Sequence, residues 1–198
     1  MYLCHSMASL LQQIGNDISR VLSPSLPDDL GSFEDHLDFI LPKIIPYGED
    51  LNESSFWLAK RWQEVRPDEG FQETLLHIFN EDGEYLLSVD GNIIRGGWRQ
   101  LNDNNSIILE MGGRSELFDL RFLNQDFLVL SKNGDQGRKG QRRYFILVRA
   151  GVARGPSGEL DWRQVMEAMY NVWRENSLSL WSWFLFILVI AAMLLWLR

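Results

Sequence analysis

The chain has 198 residues, a formal net charge of −8, a single cysteine and eight tryptophans. That length allows one core of about 100–150 residues with flanking elements. The acidity argues against a general nucleic-acid binder, which needs a basic surplus, and Cys4 alone excludes an intrachain disulfide framework.

The start, Met1 to Met7, has no Lys or Arg to form the basic region of a secretory signal. Residues 9–22 read as a short amphipathic helix, with Leu10, Leu11, Ile14, Ile18, Val21 and Leu22 on one face. Pro24 and Pro27 stop it. A second helix is expected over 32–41, with Ser32 as N-cap, Asp35 three residues on, and Phe33, Leu37, Ile40 and Leu41 as its apolar face. Pro42 and Pro46 are expected to end it. The stretch 28–53 is strongly acidic, with Lys43 its one basic residue, and reads as a solvated capping face or an acidic docking surface.

From Trp57 to Arg149 short apolar runs alternate with turn signals, the pattern of an antiparallel barrel or sandwich. Eight strands are expected, over 57–66, 72–79, 84–89, 93–100, 106–111, 115–122, 126–131 and 142–149. Asp82-Gly83 and Asp90-Gly91 are hairpin turns, because such residues tolerate positive φ. Gly96-Gly97 inside a strand points to a bulge or bend. Eight strands with tight turns suit an up-and-down barrel that closes its own edges and whose interior is filled or holds one small ligand. Leu75-Leu76, Leu86-Leu87, Ile107-Ile108-Leu109 and Phe127 to Leu130 are apolar on both faces, so part of the outer wall must be covered. The N-terminal helices and a helix over 160–175 are the available covers. That later helix carries a stripe of Trp162, Val165, Met166, Met169, Val172 and Trp173.

Arg61-Trp62-Gln63, the hairpin Ile78 to Tyr85, Gly96-Gly97-Trp98-Arg99-Gln100-Leu101, Ile107-Ile108-Leu109 and Leu128-Val129-Leu130 follow one another in this region. In that order they resemble the small lipocalin-like, calycin-type domains of Bacteroidetes-type bacteria. The resemblance spans roughly residues 57–132. It implies a barrel with a binding role and no catalysis, in which Trp62 and Trp98 plug or brace the barrel. The chain departs from such domains in having no signal sequence and in carrying an apolar C-terminal stretch.

No catalytic constellation is legible. His5, His36 and His77 are scattered, no spacing matches a zinc site, and there is no phosphate loop or nucleophile elbow. Glu73 and His77 share a face of one strand but form a weak pair, and His77 reads as a satisfied barrel residue. Neither a cofactor nor a metal is expected, and the chain is not expected to be an enzyme. The one functional-looking surface is basic: Lys132, Arg138, Lys139, Arg142, Arg143, Arg149 and Arg154 stand against Asp135 alone. It can discourage edge pairing, contact anionic headgroups or dock on an acidic surface, the 28–53 segment of a second copy included.

From Ser177 to Leu197 no residue is charged. Leu178 to Leu197 spans roughly 30 Å as a helix, the hydrocarbon thickness of a bilayer. Trp181 and Trp183 at one end and Trp196 at the other fit the two interfacial aromatic belts. Only Arg198 follows, the arrangement of a single-pass tail anchor, with the N-terminal side expected to be cytoplasmic.

The expected fold is therefore α+β and mainly antiparallel β. It divides into an N-terminal helical segment (1–55), the barrel (56–150), an amphipathic helix or linker (151–176) and a transmembrane anchor (177–198). The expected role is a membrane adaptor or scaffold whose barrel recruits a soluble protein complex. The alternatives are a small-ligand or lipid-binding barrel and an oligomerising membrane-perturbing effector. The expected partners are the bilayer, a protein and a second copy of the chain, and no nucleic acid.

Overall fold

The computed structural model of the chain describes residues 25–27, 29–68, 73–101, 105–133, 143–155 and 158–177. Eight strands close an antiparallel barrel in sequence order: β1 Trp62–Val65, β2 Leu75–Phe79, β3 Glu84–Val89, β4 Asn92–Leu101, β5 Ser106–Met111, β6 Arg114–Leu123, β7 Phe127–Lys132 and β8 Tyr144–Arg149. The ring is sealed by β1 pairing with β8, from Trp62↔Arg149 to Val65↔Ile146. Two short strands, β9 (Arg154–Gly155) and β10 (Gly158–Glu159), form a small separate ribbon. Helix α1 covers Phe33–Ile44 and helix α2 covers 162–177. The chain divides into two compact units. One is Leu30–Met169 and holds the barrel; the described residues of the other are 25–27, 29 and 170–177.

Local chemistry sets the turns. At Val89↔Asn92 the two loop residues Asp90 and Gly91 both have positive φ, 48° and 88°. At Met111↔Arg114 Gly112 and Gly113 do the same at 58° and 77°. That is the backbone of the mirror-image turn whose twist matches the flanking strands. Gly96 is no bulge: the register of β4 is unbroken against both neighbours. A Cβ there would lie 2.3 Å from the Glu110 carbonyl oxygen, so the glycine serves a close backbone approach. The register shift falls instead in β6, between Leu120 and Phe122.

Two expected boundaries move. β1 begins at Trp62, because a 3-10 turn over Ser54–Phe56 and the left-handed Ala59 (φ 54°) hold residues 57–61 out of the ladder. Pro42 lies inside α1 and does not end it. A proline removes only one donor from the ladder, and the Ile45 N–H reaches the Leu41 carbonyl to carry the helix past it. The helix gives way to a 3-10 turn, Ile45–Tyr47, with Pro46 near its start. Ser32 and Asp35 form the expected reciprocal cap. Asp161 and Gln164 form a similar one on α2.

Alternation along the strands produces two cores. Leu128 and Leu130 of β7 face the lumen, while Val129 and Ser131 face outward, yet all four are buried. On β8 the outward Ile146 and Val148 are buried as well. The cover they need matches the buried faces of α1 (Phe33, Leu37, Ile40, Leu41, Ile44) and of the start of α2 (Val165, Met166, Met169). Those two helices meet where Trp162 stands edge-on to Phe33, with ring centroids 5.7 Å apart, and to His36, at 5.3 Å. On the opposite wall Ile93 is 64% and Ile94 45% exposed. No helix among the described residues is long and apolar enough to cross a membrane. The expected N-terminal helix 9–22 and the stretch 178–197, with Trp181, Trp183 and Trp196, lie outside the described residues.

Candidate functional site: the barrel lumen

One end of the barrel is plugged by indoles. Trp57 Nε1 donates to the Leu51 carbonyl at 3.1 Å, Trp62 Nε1 to the Trp57 carbonyl at 2.9 Å, and Trp98 Nε1 to the Asn80 carbonyl at 2.8 Å. Trp57 stands edge-on to Trp98 (4.7 Å) and to Phe79 (5.4 Å). Trp57 and Trp62 are buried along with Phe79. Each ring thus supplies bulk while its single N–H is satisfied, the condition for burying tryptophan. Trp57 belongs to this plug, although the expected strand 57–66 would have placed it on the ladder.

Above the plug the lumen is open. A cavity of about 620 Å³ runs from the level of Tyr85 to the far end of the strands. Its apolar wall comes from Leu75, Leu87, Val89, Leu109, Met111 and Phe118. The volume lies within the range of small-molecule pockets, roughly 300–1,000 Å³. The mouth is charged, with Arg114 and Glu116 exposed and Lys132 holding Glu116 at 2.8 Å.

Inside this apolar wall sits one polar cluster. Glu64 and His77 are brought together because β1 pairs with β2 and both residues fall on inward positions. Their side chains are 7% and 3% exposed. His77 Nδ1 is 2.6 Å from the Tyr85 hydroxyl, and Nε2 is 3.3 Å from a Glu64 oxygen. Burial and the neighbouring Glu64 charge hold the Tyr85 phenol well above its ordinary value. The phenol therefore keeps its proton and shares a hydrogen bond with Nδ1. Burial alone would raise the Glu64 carboxyl, but hydrogen bonding from His77 and Arg66 outweighs it and keeps the group below the usual carboxylate range. Arg66 grips Glu64 with two nitrogens, at 2.6 and 3.1 Å. The carboxylate beside His77 is thus Glu64 and not Glu73; Glu73 lines the cavity but is exposed. The sequence signal for Glu64 was its i+2 spacing from Trp62, which places both on one strand face.

Of the basic residues expected to form a contact surface, Lys132, Arg143 and Arg149 are described. Lys132 sits at the mouth on Glu116. Arg143 reaches α1, pairing with Asp38 and standing 3.5 Å from Glu34, while Tyr144 donates to Asp38 at 2.8 Å. The acidic segment therefore meets the basic one within a single chain. Arg149 lies near the plugged end, 3.4 Å from the Gln125 carbonyl. Arg138, Lys139 and Arg142 lie outside the described residues. Among the described residues no group of three or more His, Cys, Asp or Glu is placed to hold a metal. Compared with family models, with curated proteins and with solved structures, the chain gives no match.

Proposed function

We propose that the chain is a binding protein whose barrel lumen takes one small, largely apolar ligand, held at a membrane by the stretch 178–197. The observation that carries this reading is the cavity of about 620 Å³, plugged by indoles at one end and walled by aliphatic side chains. An apolar cavity of that size is a cost to stability unless something fills it, since its lining forgoes packing contacts. A binding role also accords with the lipocalin-like resemblance. The adaptor reading rests on the basic run, and two of its described members are engaged within the chain, Lys132 with Glu116 and Arg143 with Glu34 and Asp38.

The test is calorimetric titration of octanol into the full-length chain in lipid nanodiscs, with empty discs subtracted. Saturable binding near one equivalent is expected. It should be lost in Leu109→Trp, which fills the lumen from β5. Absence of saturable binding in the unaltered chain overturns the reading.

A further inference from the structure

We infer that the free edge of the β3–β4 hairpin pairs with the same edge of a second copy of the chain, so that two barrels share one sheet across a twofold axis. The inference is independent of what the lumen holds. It draws on the proposed function only for the tether, which keeps copies in one plane.

Strand β4 outruns its neighbour. Its ladder with β3 reaches Asn92, but its ladder with β5 begins only at Gly97, and β5 turns back at Gly112-Gly113. Among the described residues no strand pairs with the far side of residues 92–95. The pair Val89↔Asn92 closes a two-residue turn and is therefore a hydrogen-bonded pair, and bonded and non-bonded pairs alternate along an antiparallel ladder. The Trp98 N–H on the Gly83 carbonyl, at 2.8 Å, keeps the same phase. Asn92 and Ile94 thus spend their backbone groups on β3, while Ile93 and Arg95 direct theirs to the open edge. Residues 90–95 are all exposed, and Ile93 pairs with Ser88 on the face turned away from the lumen.

An open edge is a template for another strand, and sheets normally blunt it with charge, proline or a bulge. Residues 92–95 carry one such device, Arg95, loosely held by Glu84 at 3.8 Å. A second copy answers each of these features. Antiparallel pairing centred on Ile93 sets that residue against its counterpart, where the two exchange N–H to carbonyl bonds in both directions and bring their side chains together on the outward face. The same register sets Arg95 opposite Gly91, which has no side chain to clash, and beside the exposed, oppositely charged Asp90 of the second copy. The bilayer is a poorer occupant, because hydrocarbon cannot satisfy the backbone groups of Ile93 and Arg95. So short an edge buries less than the roughly 1,000 Å² of a stable interface, so pairing depends on the effective concentration that a shared membrane plane provides.

The experiment places a nitroxide label at position 88 of the full-length chain (Cys4→Ser, Ser88→Cys) in phosphatidylcholine vesicles at a high lipid-to-protein ratio, read by dipolar spectroscopy. Ser88 lies across from Ile93, so the two label sites of a pair stand three interstrand spacings apart, roughly 14 Å. A short-distance population is expected. Ile93→Lys, which sets like charges against each other, should abolish it. Ile93→Pro, which removes an edge N–H and no bond to β3, should do the same, whereas Ile45→Lys, at an exposed isoleucine elsewhere, should leave it intact. Absence of the short distance in the parent, or its survival in both Ile93 variants, overturns the pairing. So does its replacement by oxygen accessibility of the label from the lipid phase, which would put the hairpin in the bilayer. Octanol binding should be unchanged in Ile93→Lys, so failure of the pairing and failure of the lumen reading are told apart.

Discussion

Trp62 and Glu64 sit two residues apart on one strand face and do opposite things to the lumen. Trp62 is fully buried and hands its N–H to the Trp57 carbonyl. Trp62→Ala should cost about 3–5 kcal/mol, the usual range for deleting a buried aromatic, read as a loss of thermal stability of the barrel. Glu64 instead keeps a charge inside. Its carboxyl is held below the ordinary glutamate value of about 4.3. A carboxyl depressed on folding contributes stability that is fully present above its unfolded value and is lost as pH falls through its folded one. Barrel stability should therefore fall below about pH 4.3, and Glu64→Gln should flatten that part of the profile in a series of melts against pH. Stability that is as acid-sensitive in the Gln variant as in the parent would show that other carboxyls carry the effect. The plugging role of Trp62 was implied by the lipocalin-like resemblance. The company Glu64 keeps was not, because the partner depends on which residue of β2 lies across from β1, and that register joins residues more than ten apart in the chain.

At the scale of elements the apolar periodicity and the turn pairs located all eight strands, most of them to within one or two residues at either end. Turn chemistry is local, so Asp90-Gly91 announces itself. The errors fall where tertiary contacts override local preference. Pro42 stays within α1 because the buried Leu41 and Ile44 flank it, and Gly96 is set by the approach of the next strand. Gly96→Ala should be strongly destabilising, since the clash is with backbone. Gly97→Ala, whose added Cβ would lie 3.8 Å from the Gly83 carbonyl oxygen, should be mild. A comparison of the two melting points checks this, and equal effects would contradict it. The clamp between α1 and the start of β8 should be modest by contrast. Asp38 and Arg143 are partly exposed, and a double-mutant cycle on Asp38→Ala and Arg143→Ala should give a coupling of about 1 kcal/mol or less.

On the scale of the whole molecule, the outer faces of β7 and β8 are buried, while the lumen keeps an unfilled volume of about 620 Å³. Closure was readable from eight regularly spaced strands. The openness of the lumen was not, because it depends on where bulk collects: Trp57, Trp62, Trp98 and Phe79 crowd one end and leave aliphatic side chains to line the other. The stretch 178–197 is proposed to act as a tether, so removing residues 178–198 should release a chain that stays soluble without detergent and still melts cooperatively. Aggregation of that truncated chain would contradict it. The central claim is that the lumen is a binding site, and the most direct measurement is of magnetisation transfer between the octanol chain and protein methyl groups in the full-length protein in nanodiscs. Nuclear Overhauser contacts to Leu87, Leu109 and Met111 are predicted, with none to the outward Ile93. Contacts to Ile93 in the absence of any to the lumen methyls would contradict the account.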